Sequence, residues 1–245
     1  MPTYVNAPCV EAIIEVQLAA PANGGEGLIA ALAGIGQEIG YVAPRLVRTQ
    51  RRTLSIKNNR QVETDESFNE GWMFQSPDGL YVVRVGYNTF AISRLKPYEN
   101  WVTFHEEALR VWSAWRNVVA NGIVQRIAHR MINRLNFPDT LLENYITVGP
   151  GLPTDLVAAY KVNSFIVNVE FVDGSIEVRL TQSVVPPEND AIYSIMLDIG
   201  CEQADLQFTL ADDDGIVWTT LNKLRDHRNR VFESSLTDTC KALFK

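Results

Sequence analysis

The chain has 245 residues, with 29 acidic and 22 basic side chains, three histidines and 46% hydrophobic content, for a formal charge of −7 at pH 7. A chain of this length with ordinary apolar content can bury a sizeable core, which excludes the disordered and small disulfide-scaffold classes. No run approaches the roughly 20 apolar residues that cross a bilayer, and no charged region precedes an apolar run at the N-terminus, so a cytoplasmic protein without a membrane partner is expected.

The first predicted element is a strand over Val10–Leu18, rich in branched residues and closed by Pro21, Asn23, Gly24 and Gly25. A short helix follows over Leu28–Ile39, with Gly40 as its stop signal. Arg45–Lys57 reads as an extended, unusually basic segment, and the polar stretch Lys57–Asn69 as a connecting loop. Gly71–Leu95 reads as antiparallel strands around the turns Ser76-Pro77-Asp78-Gly79 and Gly86-Tyr87-Asn88. Trp101, Phe104, Ala108, Leu109, Trp112, Trp115 and Val119 recur at helical spacing after the N-cap residue Asn100, and Asn121-Gly122 ends that helix. Ile123–Phe137 is extended and places Arg126, Arg130 and Arg134 on one face, with Ile127, His129, Met131, Asn133 and Leu135 on the other. After a loop over Pro138–Pro153 with a short helical turn at Leu141–Tyr145, a three-strand meander occupies Ser164–Ile199. A final helix runs from near Trp218 through Leu236, Cys240 and Leu243.

Helices follow groups of strands in this order, which predicts an α+β fold: a mostly antiparallel curved sheet with two long helices packed on one face. A single domain over 1–245 is expected. Pseudo-duplicated halves, 1–137 and 138–245, suit the same order, although no sequence repeat establishes them.

Charge is unevenly distributed. Residues 1–44 carry four acids and no Lys or Arg, residues 45–134 carry fourteen basic and eight acidic side chains, and residues 135–245 carry eight and seventeen. The net charges are therefore −4, +6 and −9, a basic middle between acidic ends. Uniform binding to nucleic acid is not expected of such a chain. The basic middle either forms a local anion-binding face or is neutralised by its neighbours.

No catalytic constellation is visible. Gly25-x-Gly27-x-x-Ala30 matches a dinucleotide fingerprint formally, but the segment after it lacks the acidic ribose ligand and a further crossover, and no Gly-Lys-Ser/Thr follows. Asp212-Asp213-Asp214-Gly215 lacks the ligand spacing of a calcium loop and reads as an acidic turn. Histidines at 105, 129 and 227 form no metalloprotease or hydrolase motif. Cys9, Cys201 and Cys240 are isolated and read as reduced structural thiols. No catalytic residue, metal or cofactor is expected.

The strand arginines carry the most chemical information. Arg48, Arg52, Arg126, Arg130 and Arg134 are too many cations for a dry core, since each needs an acceptor. They are candidates for binding an anion such as a phosphorylated small molecule or nucleotide. Alternatively they pair with carboxylates, for which Glu11, Glu15 and Glu233 are the first candidates, with Glu170 and Glu177 as others. A closed sheet with inward acids and bases would be similar to enzymes that handle triphosphates in a barrel. Their Glu-x-Glu-x-Lys strand is replaced here by Glu11-Ala12-Ile13-Ile14-Glu15.

Five segments together resemble a sporadically distributed family of uncharacterised bacterial proteins of about 250 residues. They are Val10–Glu15; Gly71–Phe74 with Asp78-Gly79; Phe90–Leu95 with Pro97-Tyr98 and Trp101; Arg130–Arg134; and Asn229–Asp238. Residues 136–220 depart most from the pattern. The resemblance implies a bacterial accessory gene of the defence, mobile-element or toxin-control kind and supplies no reaction. The expectation is a non-catalytic binding or regulatory protein acting through a protein partner or by self-association, with the strand-arginine pocket as its rival.

Overall fold

The computed structural model describes residues 4–19, 26–57, 60–149, 164–212 and 215–245, with the side chains of all but residues 26, 49–57 and 60–70. The first strand, β1 (Cys9–Leu18), buries Ala12, Ile14, Val16 and Leu18 and leaves Glu11, Ile13, Glu15 and Gln17 half-buried. This period of two marks a strand with one covered and one open face.

Two short helices come next, α1 (Glu26–Leu32) and α2 (Ile35–Glu38), where the sequence predicts one. The main chain tightens at Ala33 and Gly34, whose N–H groups reach back only three residues, and Gly34 brings no side chain to hold the stripe together. Gly40, at φ +71°, ends α2 as expected.

Strands β2 (Val42–Lys57) and β3 (Arg60–Gln75) pair from Val42↔Gln75 out to Lys57↔Arg60. The loop expected over Lys57–Asn69 is thus overturned, since residues 57 and 60–69 belong to a long hairpin, and residues 58 and 59 lie outside the described residues. A polar strand carries no apolar alternation to announce it. Its regularity comes from main-chain pairing, in a register that sets Arg51 opposite Glu66 and Arg52 opposite Asp65.

Strands β4 (Tyr81–Gly86) and β5 (Thr89–Leu95) complete the meander, and helix α3 (Trp101–Val119) starts where Asn100 Oδ1 accepts the Thr103 N–H at 3.0 Å. Then come β6 (Ile123–Phe137), β7 (Ile166–Asp173), β8 (Ile176–Val185), β9 (Tyr193–Gln203) and the two-residue β10 (Phe208–Thr209). The single final helix of the sequence reading is two: α4 (Ile216–Ser235) and α5 (Asp238–Ala242). The break falls at Leu236, which bridges to Ile146, and Thr237 caps the new helix by accepting the Cys240 N–H.

The fold is α+β, built on a mostly antiparallel open sheet of ten strands in the order β2-β3-β4-β5-β1-β6-β9-β8-β7, with β10 added to β6. Every strand pairing among the described residues is antiparallel. The strands flanking α1 are therefore not neighbours, and no parallel crossover surrounds Gly27; Gly25 lies outside the described residues. The open sheet likewise does not form the closed barrel of the triphosphate-handling alternative.

Side chains of α3 and α4 meet the covered side of β6. The Trp101 ring lies 5.3 Å from His129, and Arg228 Nη1 donates to Met131 Sδ at 2.9 Å. The helices touch each other through Trp218, whose ring is 4.8 Å from His105 and 6.1 Å from Trp112. The core falls into two clusters, one beneath α3 and the first turns of α4, the other around β9, the end of α4 and α5. No helix among the described residues is long and apolar enough to cross a membrane.

Candidate functional site

Alternation along β6 places Arg126, Arg130 and Arg134 on the open face, opposite the buried Ile127, His129, Met131, Asn133 and Leu135, as the sequence predicts. Each arginine meets a carboxylate. Arg126 bridges Glu15 on β1 and Glu202 on β9, its Nε lying 2.9 Å from Glu202 Oε2. Burial alone would lower its pKa, but the hydrogen bonds to Glu202 and Glu15 outweigh that and raise it. Arg130 grips Asp198 with two N–H groups, one at 2.8 Å, and this pairing raises its pKa. Arg134 pairs with Glu188 at 3.3 Å and donates to the Pro186 carbonyl. Arg126 and Arg130 line a trough of about 480 Å³, walled on the far side by Glu170, Val172 and Arg179.

Of the predicted partners, Glu15 takes the role, Glu11 reaches Arg130 only through its longer-range field, and Glu233 lies elsewhere, bound by Tyr4 and Lys241. Glu170 pairs with Arg179 at 2.7 Å. The sequence reading missed Glu188, Asp198 and Glu202. The match of Asp198 and Glu202 to the arginines depends on the β6–β9 register, with Ile132 opposite Asp198 and Ala128 opposite Glu202, which local pattern does not specify, and Glu188 lies in the connection between β8 and β9.

The five arginines do not form one site. Arg48 and Arg52 lie on β2, five strands along from β6, roughly 24 Å away at the usual interstrand spacing. Arg48 is exposed, opposite Asn69, and the side chain of Arg52 is outside the described set.

A second locus lies between the helices and the covered face. Arg228 continues the core-facing row Val217, Leu221 and Leu224 of α4, a cation on an apolar stripe. That interruption is readable in the sequence, although Arg228 is not among the predicted site residues. Arg228 is 5% exposed, and burial draws its pKa down to about 10. With Arg225 it lines a cavity of about 240 Å³ that is also bounded by Tyr98, Trp101 and Met131.

His129 lies under the same helices, fully buried, and neither ring nitrogen has a hydrogen-bond partner. Burial, reinforced by the Arg228 and Arg225 charges, holds its pKa well below the ordinary value, so the ring is neutral. Because the folded pKa lies under the unfolded one of about 6.5, this contribution to stability is complete above that pH. It shrinks by about 1.4 kcal/mol per pH unit as the pH falls toward the folded value. Between pH 7.5 and 5.5 the stability measured by urea unfolding is expected to fall by about 1.4 kcal/mol through this group, most of it below pH 6.5, and His129→Leu to remove most of that loss. The residue from His105, whose pKa burial also lowers, is smaller. A variant with the full wild-type slope contradicts the assignment.

Cys9, Cys201 and Cys240 are free and buried, their thiols pushed up to about 12 by burial. Among the described residues no group of three His, Cys, Asp or Glu is placed to hold a metal ion. Asp212 accepts from Thr209 Oγ1 at 2.5 Å, and Asp213 and Asp214 lie outside the described residues. No family model matches the chain, and no curated protein matches it.

Proposed function

We infer that the chain is a non-catalytic binding or regulatory protein that acts through a protein partner or a second copy of itself. The observation that carries this reading is the terminal strand β7. It stands last in the sheet order, paired on one side by β8 and on the other by no described residue. Its apolar side chains are uncovered on both faces: Val169 and Phe171 on the helix side, Ile166 at 70% and Val172 at 68% exposure on the other. A strand edge that no described residue pairs, with apolar flanks, is a template for an added strand. Neutralised arginines on the adjoining trough favour this over the phosphorylated-ligand alternative, because no described cation of β6 there is left without a carboxylate.

Residence in the cytoplasm and a place in a bacterial accessory module belong to the same proposal, on the strength of the five resembling segments. The same proposal takes α3 and α4 as one helical layer and 1–137 and 138–245 as pseudo-duplicated halves, a reading supported by the long helix that follows each group of strands.

Affinity capture from the native host, with sedimentation velocity of the pure protein, tests the reading against a Val169→Lys/Phe171→Lys double variant. The wild type is expected to self-associate or to retain one reproducible partner, and the variant to lose at least tenfold in that affinity with unchanged circular dichroism. A monomeric wild type with no reproducible partner, or an unaffected variant, counts against it.

A further inference from the structure

We propose that the cavity between α4 and the β1–β6 face binds a small organic monocarboxylate with an apolar body, anchored on Arg228. An arginine keeps its charge in the interior, so a buried guanidinium requires acceptors. Here Arg228 Nε has no partner, and Nη1 has only the Met131 sulfur, a weak acceptor. No carboxylate among the described residues pairs with it.

The charges around the cavity specify the ligand. Glu99 is held by Arg94 at 3.3 Å, and Glu233 by Tyr4 Oη at 2.9 Å and Lys241 at 3.6 Å. Arg225 has Asp226 at 3.2 Å, and its guanidinium stacks 5.3 Å from the Trp101 ring centre. One cation, Arg228, is left uncompensated, which matches a single negative charge rather than a phosphate dianion. His105 and His129, whose rings lie 5.4 and 5.3 Å from that of Trp101, are drawn toward the neutral form and do not compete for the anion.

The walls specify the rest of the molecule. Pro8, Tyr98, Trp101 and Phe232 present apolar surface, and the volume of about 240 Å³ lies below the usual range of about 300–1,000 Å³ for drug-sized ligands. Ala7, Asn100 and Asn229 are at least partly exposed and form the mouth. A planar carboxylate suits a guanidinium better than a point anion does.

Isothermal titration and thermal unfolding of the full chain with benzoate, hexanoate and inorganic phosphate test the assignment. One carboxylate is expected to bind one-to-one and raise the melting temperature, with phosphate much weaker. Arg228→Met is expected to lose at least tenfold in carboxylate affinity while melting no lower than the wild type, since it removes a buried charge that lacks a partner. Should that variant fail to fold, Ala7→Trp fills the cavity mouth with Arg228 kept, and the same loss is expected. Absence of binding by both carboxylates, preference for phosphate, or undiminished affinity in a folded variant overturns the proposal. The site is independent of the β7 edge, so Val169→Lys/Phe171→Lys is expected to bind carboxylate as the wild type does.

Discussion

Replacing Trp115 with alanine is expected to destabilise the fold by about 3–5 kcal/mol, the range for deleting a large aromatic from a closed core. The side chain is fully buried on α3, its indole N–H donates to the Gly86 carbonyl at 2.9 Å, and its ring lies 5.1 Å from Trp112 and 5.4 Å from Phe90. The substitution therefore removes packing, ring contacts and the bond that ties α3 to the end of β4. Trp115→Phe keeps most of the packing and loses the N–H, for an expected cost nearer 1 kcal/mol from that bond. Urea denaturation monitored by far-ultraviolet circular dichroism separates the two, and a loss below 1 kcal/mol for alanine contradicts the packing described.

Gly71→Ala is expected to cost about 3 kcal/mol, the upper end for overpacking. An added Cβ would sit 2.0 Å from the Val85 carbonyl oxygen and 2.7 Å from Gly86 Cα, at the point where Gly71 and Gly86 face each other across β3 and β4. Both obstacles are main chain, which cannot swing aside like a side chain, so relief requires β3 to part from β4. Gly27→Ala is the control: nothing lies within 4 Å of its added Cβ, and alanine favours a helix over glycine by up to about 1 kcal/mol. Thermal melts in which Gly71→Ala matches the wild type would place the two strands further apart than described.

The contrast between β6 and β3 shows where the sequence is legible. In β6 a period of two sorts Arg126, Arg130 and Arg134 from Ile127, His129 and Met131, and the observed faces follow it. In β3 the residues before Gly71 are polar but for Val62 and Phe68, too few to set an alternation, and pairing with β2 makes them a strand. The helices divide similarly. The tryptophan stripe of α3 and its Asn100 cap act within one helix, whereas α4 ends because Leu236 finds Ile146, ninety residues back in the chain.

The opening charge of −7, split into −4, +6 and −9, is a property of the sequence alone, as are the alternation that aims the β6 arginines outward and the absence of a recognisable catalytic motif. Which acids meet those arginines was decided by tertiary structure. Glu202 and Asp198 come from the acidic final segment and Glu15 from the acidic first one, brought to the basic middle by the β1–β6 and β6–β9 registers. The same assembly left Arg228 inside without a carboxylate partner among the described residues. Strand order and register set the distances between charges far apart in the chain, and a carboxylate neutralises an arginine only at contact.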